Sequence, residues 1–383
     1  MSLSVQAATV DEARLLADIH AFVGIETPSR DAAAVNRLAD LVARKAEGSG
    51  LLVERRPGTM GFGDHLVLRT PRPAGERAPR VLILAHIDTV HAVGTLAERL
   101  PLRRDGDRLY GPGVYDMKSG VAMAIEAMRL ATAHGLPHPV DLLIVSDEEV
   151  GSKSSRTAIE ELAQGALAAL VAEPARDGGK IVTARKGVGL CDITVRGRAA
   201  HAGVRPADGR SAIRAAARLV LDLEAMNDAA RGITITVGTI RGGTGRNTVP
   251  DECRLEVDLR LPDMASADAI LERIRALKPT DPDIRYEIAA DLNRPPFAAS
   301  PAGLRVFGEA ARIADELGFP LEGVATGGGS DGNFTAALGI PTLDGLGADG
   351  AGAHTLDEHI LVSSLVPRTA LLANLLLRLP GTA

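Results

Sequence analysis

His86 and Asp88 follow directly on the apolar run 81–85, Asp147, Glu148 and Glu149 on the run 142–145, and Glu173 on the run 168–172. Asp116, within GPGVYDMKSG ahead of a helical stretch, adds a carboxylate, and His354, in AGAHTLDEH, adds a second imidazole. A single histidine after a strand is more often a structural hydrogen-bonding group than a ligand. The set together points further. If the apolar runs are neighbouring strands, their carboxyl ends share one crevice, and groups scattered along the chain converge there. Carboxylates crowded in a dry cleft cannot all stay ionised without large pKa shifts or a cation. Imidazole with carboxylate suits zinc, and a bridging Asp with two further acids and two His would fill two neighbouring zinc ions while leaving room for a water. Two divalent ions, three ligating carboxylates and a bridging hydroxide sum to about zero charge. Of the adjacent Glu148 and Glu149, one can bind metal while the other takes the proton of the water.

The elements that must position these groups alternate. The runs 81–85, 142–145 and 168–172 are too short for helices and continuous enough for strands buried on both faces. A helix over 118–134, stopped by Gly135, separates the first two. Thr9 with Glu12 forms a capping box that opens a first helix, a second covers 32–46, and the Pro/Gly-rich stretch 71–79 marks a turn. From about Val188 the period becomes two, with Cys191, Ile193 and Val195 and later Cys253, Leu255, Val257 and Leu259 on one face. The order strand 189–197, helix 208–228, strands 233–241 and 252–261, helix 265–277, strand 283–291 is βαββαβ, a ferredoxin-like unit. After Pro295-Pro296 the α/β character returns, with a helix at 302–317, a short strand at 340–343 and a last helix at 362–379. The expected class is α/β: residues 1–186 and 295–383 build a mixed, mainly parallel sheet flanked by helices, with 187–294 inserted.

Nine motifs in order along nearly the whole chain carry a resemblance: AHIDTV (85–90), GPGVYDMKSG (111–120), SDEEVGS (146–152), AEPA (172–175), GRAAHAG (197–203), GGTGRNTVPDECRLEVDLR (242–260), NRPPF (293–297), GGGSDGN (327–333) and AHTLDEH (353–359). The chain resembles the dinuclear zinc peptidase and deacylase family of carboxypeptidase G type glutamate carboxypeptidases, aminoacylases, acetylornithine deacetylase and succinyl-diaminopimelate desuccinylase. The resemblance implies that His86 and Glu173 bind one zinc, Glu149 and His354 the other, and that Asp116 bridges both, with Co2+ or Mn2+ as substitutes. It implies that Asp88 orients His86 by a hydrogen bond and that Glu148 is the general base. His201, from the inserted dimerisation and lid domain of a partner subunit, then stabilises the oxyanion, which makes a homodimer part of the mechanism. Asn247 and Arg260 match positions that hold substrate polar groups or a carboxylate, and Arg294 is a further candidate. Asp147 is left as a solvated or capping carboxylate. Ser119, Ser211 and His359 depart from the commonest family residues, Gly, Asn and Tyr, without removing a ligand or the base.

Composition sets the bounds. The 383 residues are 45% apolar, enough for two cores, and a formal charge of −6 with 3 Tyr, 6 Phe and no Trp disfavours nucleic-acid binding. The two cysteines lie outside any C-x-x-C spacing and read as buried thiols in a reducing compartment. No window of about 18 apolar residues and no signal-like start predict a soluble, cytoplasmic protein without membrane contact. The expected activity is zinc-dependent hydrolysis of the last peptide bond before a free carboxylate, with SDEEVGS, AEPA, NRPPF and GGGSDGN leaning toward glutamate release from peptides or N-acyl conjugates. Deacylation of N-acyl amino acids is the near alternative. A non-catalytic peptide or amino-acid binding relative is the alternative of a different class; loss of Glu148 or of a ligand would favour it, and all are present. GGTG and GGGS lack the spacings of nucleotide loops.

Overall fold

Strand Arg80–His86 is buried at every residue after its first, and strand Val140–Val145 is buried throughout. Alternate residues explain why. In the computed structural model, which describes residues 5–71 and 79–379, Val81, Ile83 and Ala85 join one core while Leu82 and Leu84 join another on the opposite face. A strand covered on both sides has no wet face to mark with polar residues.

The sheet runs in the order Leu52–Arg56, His65–Arg69, Val140–Val145, Arg80–His86, Ala166–Val171, Thr342–Leu343. His65–Arg69 is antiparallel to both neighbours, and the remaining pairs are parallel, so the sheet is mixed and mainly parallel as the alternation predicts. Helices Glu12–Val23, Ala32–Glu47, Ser119–Ala133, Pro301–Leu317 and Val362–Arg378 contribute to one core, Arg156–Ala163 and Gly332–Ala337 to the other. The first helix is not opened by a Thr9 box. Ala7–Thr9 is a separate 3-10 turn, and Asp11 caps Glu12–Val23 by accepting from Arg14 N at 3.0 Å. Asp is a charged acceptor at the helix start and complements its dipole.

The chain divides into two compact units, one built by residues up to 184, by 299–326 and from 330 onward, the other by 185–298 with 327–329. The three glycines 327–329 join the second unit because Arg185 Nη1 donates to the Gly328 carbonyl at 3.1 Å, and Gly329 leaves no room for a side chain beside Val188 and Arg294. The second unit carries a four-stranded antiparallel sheet ordered Thr234–Gly242, Glu252–Leu261, Gly187–Arg196, Arg285–Arg294, with helices Ala212–Glu224 and Met264–Arg275. That strand order is ferredoxin-like. Cys191 and Cys253 are buried free thiols in its core, as period two requires. Residues 72–78 of the expected turn stretch 71–79 lie outside the described residues. Among the described residues no helix is long and apolar enough to cross a membrane.

Candidate metal centre

Strand Arg80–His86 delivers His86, 1% exposed, at its carboxyl end. The next strand in the sheet, Val140–Val145, leads into a 3-10 turn at Glu148–Val150, after which Gly151 and Ser152, both at positive φ, turn the chain away. Ala166–Val171, on the other side of Arg80–His86, leads to Glu173, which is also buried. Asp116 arrives from a kinked turn, Val114–Lys118, ahead of helix Ser119–Ala133. Gly120 lets that helix close on the sheet, since a methyl there would overlap the Ala172 carbonyl beside Glu173. His354 sits at φ +65°, a left-handed conformation that costs a non-glycine residue about 1 kcal/mol and is tolerated where function demands it.

The groups converge. His86 Nε2 is 3.2 Å from Asp116 Oδ1 and 3.6 Å from Glu173 Oε1. His354 Nε2 is 3.0 Å from Glu149 Oε2 and 3.5 Å from Asp116 Oδ2. Asp116 therefore lies between the two imidazoles with one oxygen toward each. Ligand atoms of His86, Glu148 and Glu173, and separately of His86, Asp116 and Glu149, lie within 4.8 Å of one another. Adjacent in sequence, Glu148 and Glu149 thus fall into different groups.

Asp88 meets His86 through its backbone rather than its carboxylate. His86 Nδ1 donates to the Asp88 backbone carbonyl at 3.0 Å, while the nearer carboxylate oxygen is 3.6 Å away. That carboxylate instead accepts from Ser29 Oγ at 2.7 Å and from the backbone N–H groups of Glu148 and Glu149, both at 3.2 Å. It anchors the turn that carries both glutamates. Asp147 is not solvated but fully buried, with Oδ2 accepting from Ser154 N at 2.6 Å.

The electrostatics express an excess of buried negative charge. Burial alone would lower the His86 pKa, yet the hydrogen bond to Asp116 and the charges of Glu173, Glu148 and Asp88 hold it well above the ordinary value. His354 is pushed up to about 10 by its bonds to Asp116 and Glu149 against the effect of burial. Burial would raise the Asp116 carboxyl, but hydrogen bonds from His354 and His86 keep it below the usual carboxylate range. Burial lifts Asp88 to about 6. Protons on two imidazoles supply the positive charge that the acids demand, a role a divalent cation fills at lower pKa cost to its ligands. The donor set fits such an ion: two imidazoles and a row of carboxylate oxygens, among them the buried Glu149 Oε1, which has no hydrogen-bond partner among the described residues.

The other expected site residues belong to the second unit. His201 and Asn247 are both exposed, His201 pairs with Thr248, and Ala202 N donates to the Asn247 carbonyl at 2.9 Å. Arg260 is half-buried and bound through two nitrogens to Asp258, at 2.7 and 2.9 Å. Arg294 is 4% exposed at the end of the last strand, beside a register irregularity. Sequence reasoning passed over His91 and Glu358, which meet at 2.7 Å. Glu358 stands inside the quoted motif AHTLDEH, but its partner lies 267 residues away.

A family profile described as Peptidase family M20/M25/M40 matches residues 82–378. Carboxypeptidase G2 of Pseudomonas sp. (strain RS-16) is 29% identical over 376 residues, covering 96% of this chain and 89% of its own. Succinyl-diaminopimelate desuccinylase of Paracidovorax citrulli is 31% identical over 286 residues, 70% of this chain and 71% of its own. Among solved structures, aminopeptidase PepT from Bacillus cereus matches with a TM-score of 0.75 at 22% identity, covering 97% of this chain and 99% of that one, a likeness of fold.

Proposed function

The chain belongs to peptidase family M20/M25/M40, and on that premise we propose that it is a two-zinc carboxypeptidase releasing C-terminal glutamate, or a similar amino acid, from peptides or N-acyl conjugates. The observation that carries the metal chemistry is Asp116 lying between His86 and His354 with one oxygen toward each. In this reading His86 and Glu173 would hold one ion, Glu149 and His354 the other, and Asp116 would serve both. Divalent ions held there would polarise the scissile carbonyl and lower the pKa of water. Glu148, whose carboxylate groups with His86 and Glu173 rather than with Asp116 and Glu149, accepts the proton of the attacking water and returns it to the leaving amine. Asp88 fixes the Glu148–Glu149 turn through two backbone bonds, so the base and its metal-binding neighbour keep separate tasks. The leaning toward carboxypeptidase rests on the match to carboxypeptidase G2, which runs almost the full length of both chains.

Asn247, Arg260 and Arg294 are the proposed substrate contacts, and His201, on the exposed surface of the second unit, is the proposed oxyanion donor contributed in trans within a homodimer. Support for these roles comes from their motifs. A deacylase acting on N-acyl amino acids is the second reading, favoured by the similarity to succinyl-diaminopimelate desuccinylase. Amino-acid release from zinc-loaded protein, measured over dipeptides, N-acyl-glutamates and N-acetyl or N-succinyl diamino acids, separates the two. Release confined to glutamate or aspartate conjugates supports the carboxypeptidase, and preference for the diamino acids moves the assignment to the deacylases. Mixing His201→Ala with Glu148→Gln chains tests the trans role: recovered turnover in hybrid dimers supports it, and none after verified exchange refutes it.

A further inference from the structure

One buried carboxylate outside the ligand set gathers three segments that carry ligands. Glu358 is 1% exposed. Its Oε1 accepts from the backbone N–H groups of Tyr115 at 2.9 Å and Asp116 at 3.0 Å, and its Oε2 accepts from Gly113 N at 2.9 Å and meets His91 Nε2 at 2.7 Å. Backbone amides converging from a tight turn form an anion-binding nest. Here the anion is the protein's own side chain, and Gly113 at φ +71° supplies the left-handed residue that bends the turn around it.

The connections decide what the carboxylate does. Glu358 follows His354 by four residues, His91 follows His86 by five, and the nest ends on Asp116 itself. One side chain therefore ties the loop of His354, the turn of Asp116 and the segment leaving His86. Every partner donates, so an acceptor-only carboxylate satisfies all of them, whereas an amide of the same shape would turn N–H groups of its own toward N–H donors. We propose that Glu358 is a positioning residue of the metal centre: it holds the Asp116 backbone so that the Asp116 carboxylate stays between His86 and His354. The inference rests on His86, Asp116, Glu149, Glu173 and His354 being the ligands.

The test is Co2+ titration of the full-length, metal-free chain by visible absorption and calorimetry, for the wild type, Glu358→Gln and His91→Gln, with thermal melts alongside. Glu358→Gln, folded by circular dichroism, is expected to bind Co2+ on the order of 10- to 100-fold more weakly and with an altered visible spectrum. His91→Gln changes both in the same direction and by less. Wild-type affinity and spectrum in Glu358→Gln, whatever its melting temperature, would overturn the proposal. If Glu358→Gln does not fold, Glu358→Asp and His91→Gln decide by the same criterion. A wild-type chain that takes up no Co2+ would instead overturn the ligand assignment itself, so the two failures are told apart.

Discussion

The two units treat charge in opposite ways. On the wet face of the antiparallel sheet, Arg196 pairs with Glu252 and Glu287, Arg285 with Glu287, and Arg260 with Asp258, all between neighbouring strands or two residues apart. These pairs keep water, and the alternate positions Cys191, Ile193 and Val195 supply the core beneath them. Exposed pairs of this kind contribute little. At the strand ends of the first unit, His86, Asp88, Asp116 and Glu173 are at most 9% exposed. Burying charged groups costs several kcal/mol each unless strong partners offset it, and the result is displaced pKa values at His86, Asp88 and Asp116. Charge that stays on a surface serves solubility, and charge held in the dry with shifted titration marks chemistry.

That contrast can be broken by mutation. Asp116→Ala should abolish both zinc uptake and turnover, seen as metal content and amino-acid release, because it removes the oxygen pair between the imidazoles. Glu148→Gln should keep zinc and fold but lose about 10²- to 10⁴-fold in turnover, the usual contribution of a general base. Leu255→Ala, in the core of the second unit, should cost about 2–5 kcal/mol of that unit's stability in a denaturant melt while zinc uptake by folded protein stays at the wild-type level. Loss of zinc in that variant would show that the two regions are not independent. Arg196→Ala, on the wet face, is expected to leave turnover unchanged and to move the melting temperature by no more than about 2 °C. A large shift would mean that the surface pairs matter more than the comparison allows.

The parts that were legible are those with a periodic signal. The runs 81–85, 142–145 and 168–172 announce strands by unbroken apolarity, and the acids that follow them announce a crevice. The switch to period two at Val188 announces the second sheet, and Cys191 and Cys253 fall in its core. Short strands gave no such signal: Arg103–Asp105, Arg108–Tyr110, Gly350–Ala351 and His359–Leu361 form a sheet of two- and three-residue strands, too brief for alternation to register. The sequence opens the first helix two residues too early because Thr9 and Asp11 are both competent caps, and only the backbone decides between them. Asp147 reads as a solvated or capping carboxylate because three acids in a row have no periodic reason to be buried; it is buried and accepts from the Ser154 backbone N–H. Glu358 was hidden in a recognised motif, since its function depends on amides 242 to 245 residues away rather than on any neighbour.

The most direct test of the central claim is zinc titration of metal-free wild type and Glu148→Gln, with glutamate release from an N-acyl-glutamate measured at each point. The account predicts two equivalents bound per chain in both proteins, with release rising alongside zinc in the wild type alone. Zinc lost together with activity in Glu148→Gln would make Glu148 a ligand rather than the base, and wild-type release from that variant would remove it from the chemistry altogether.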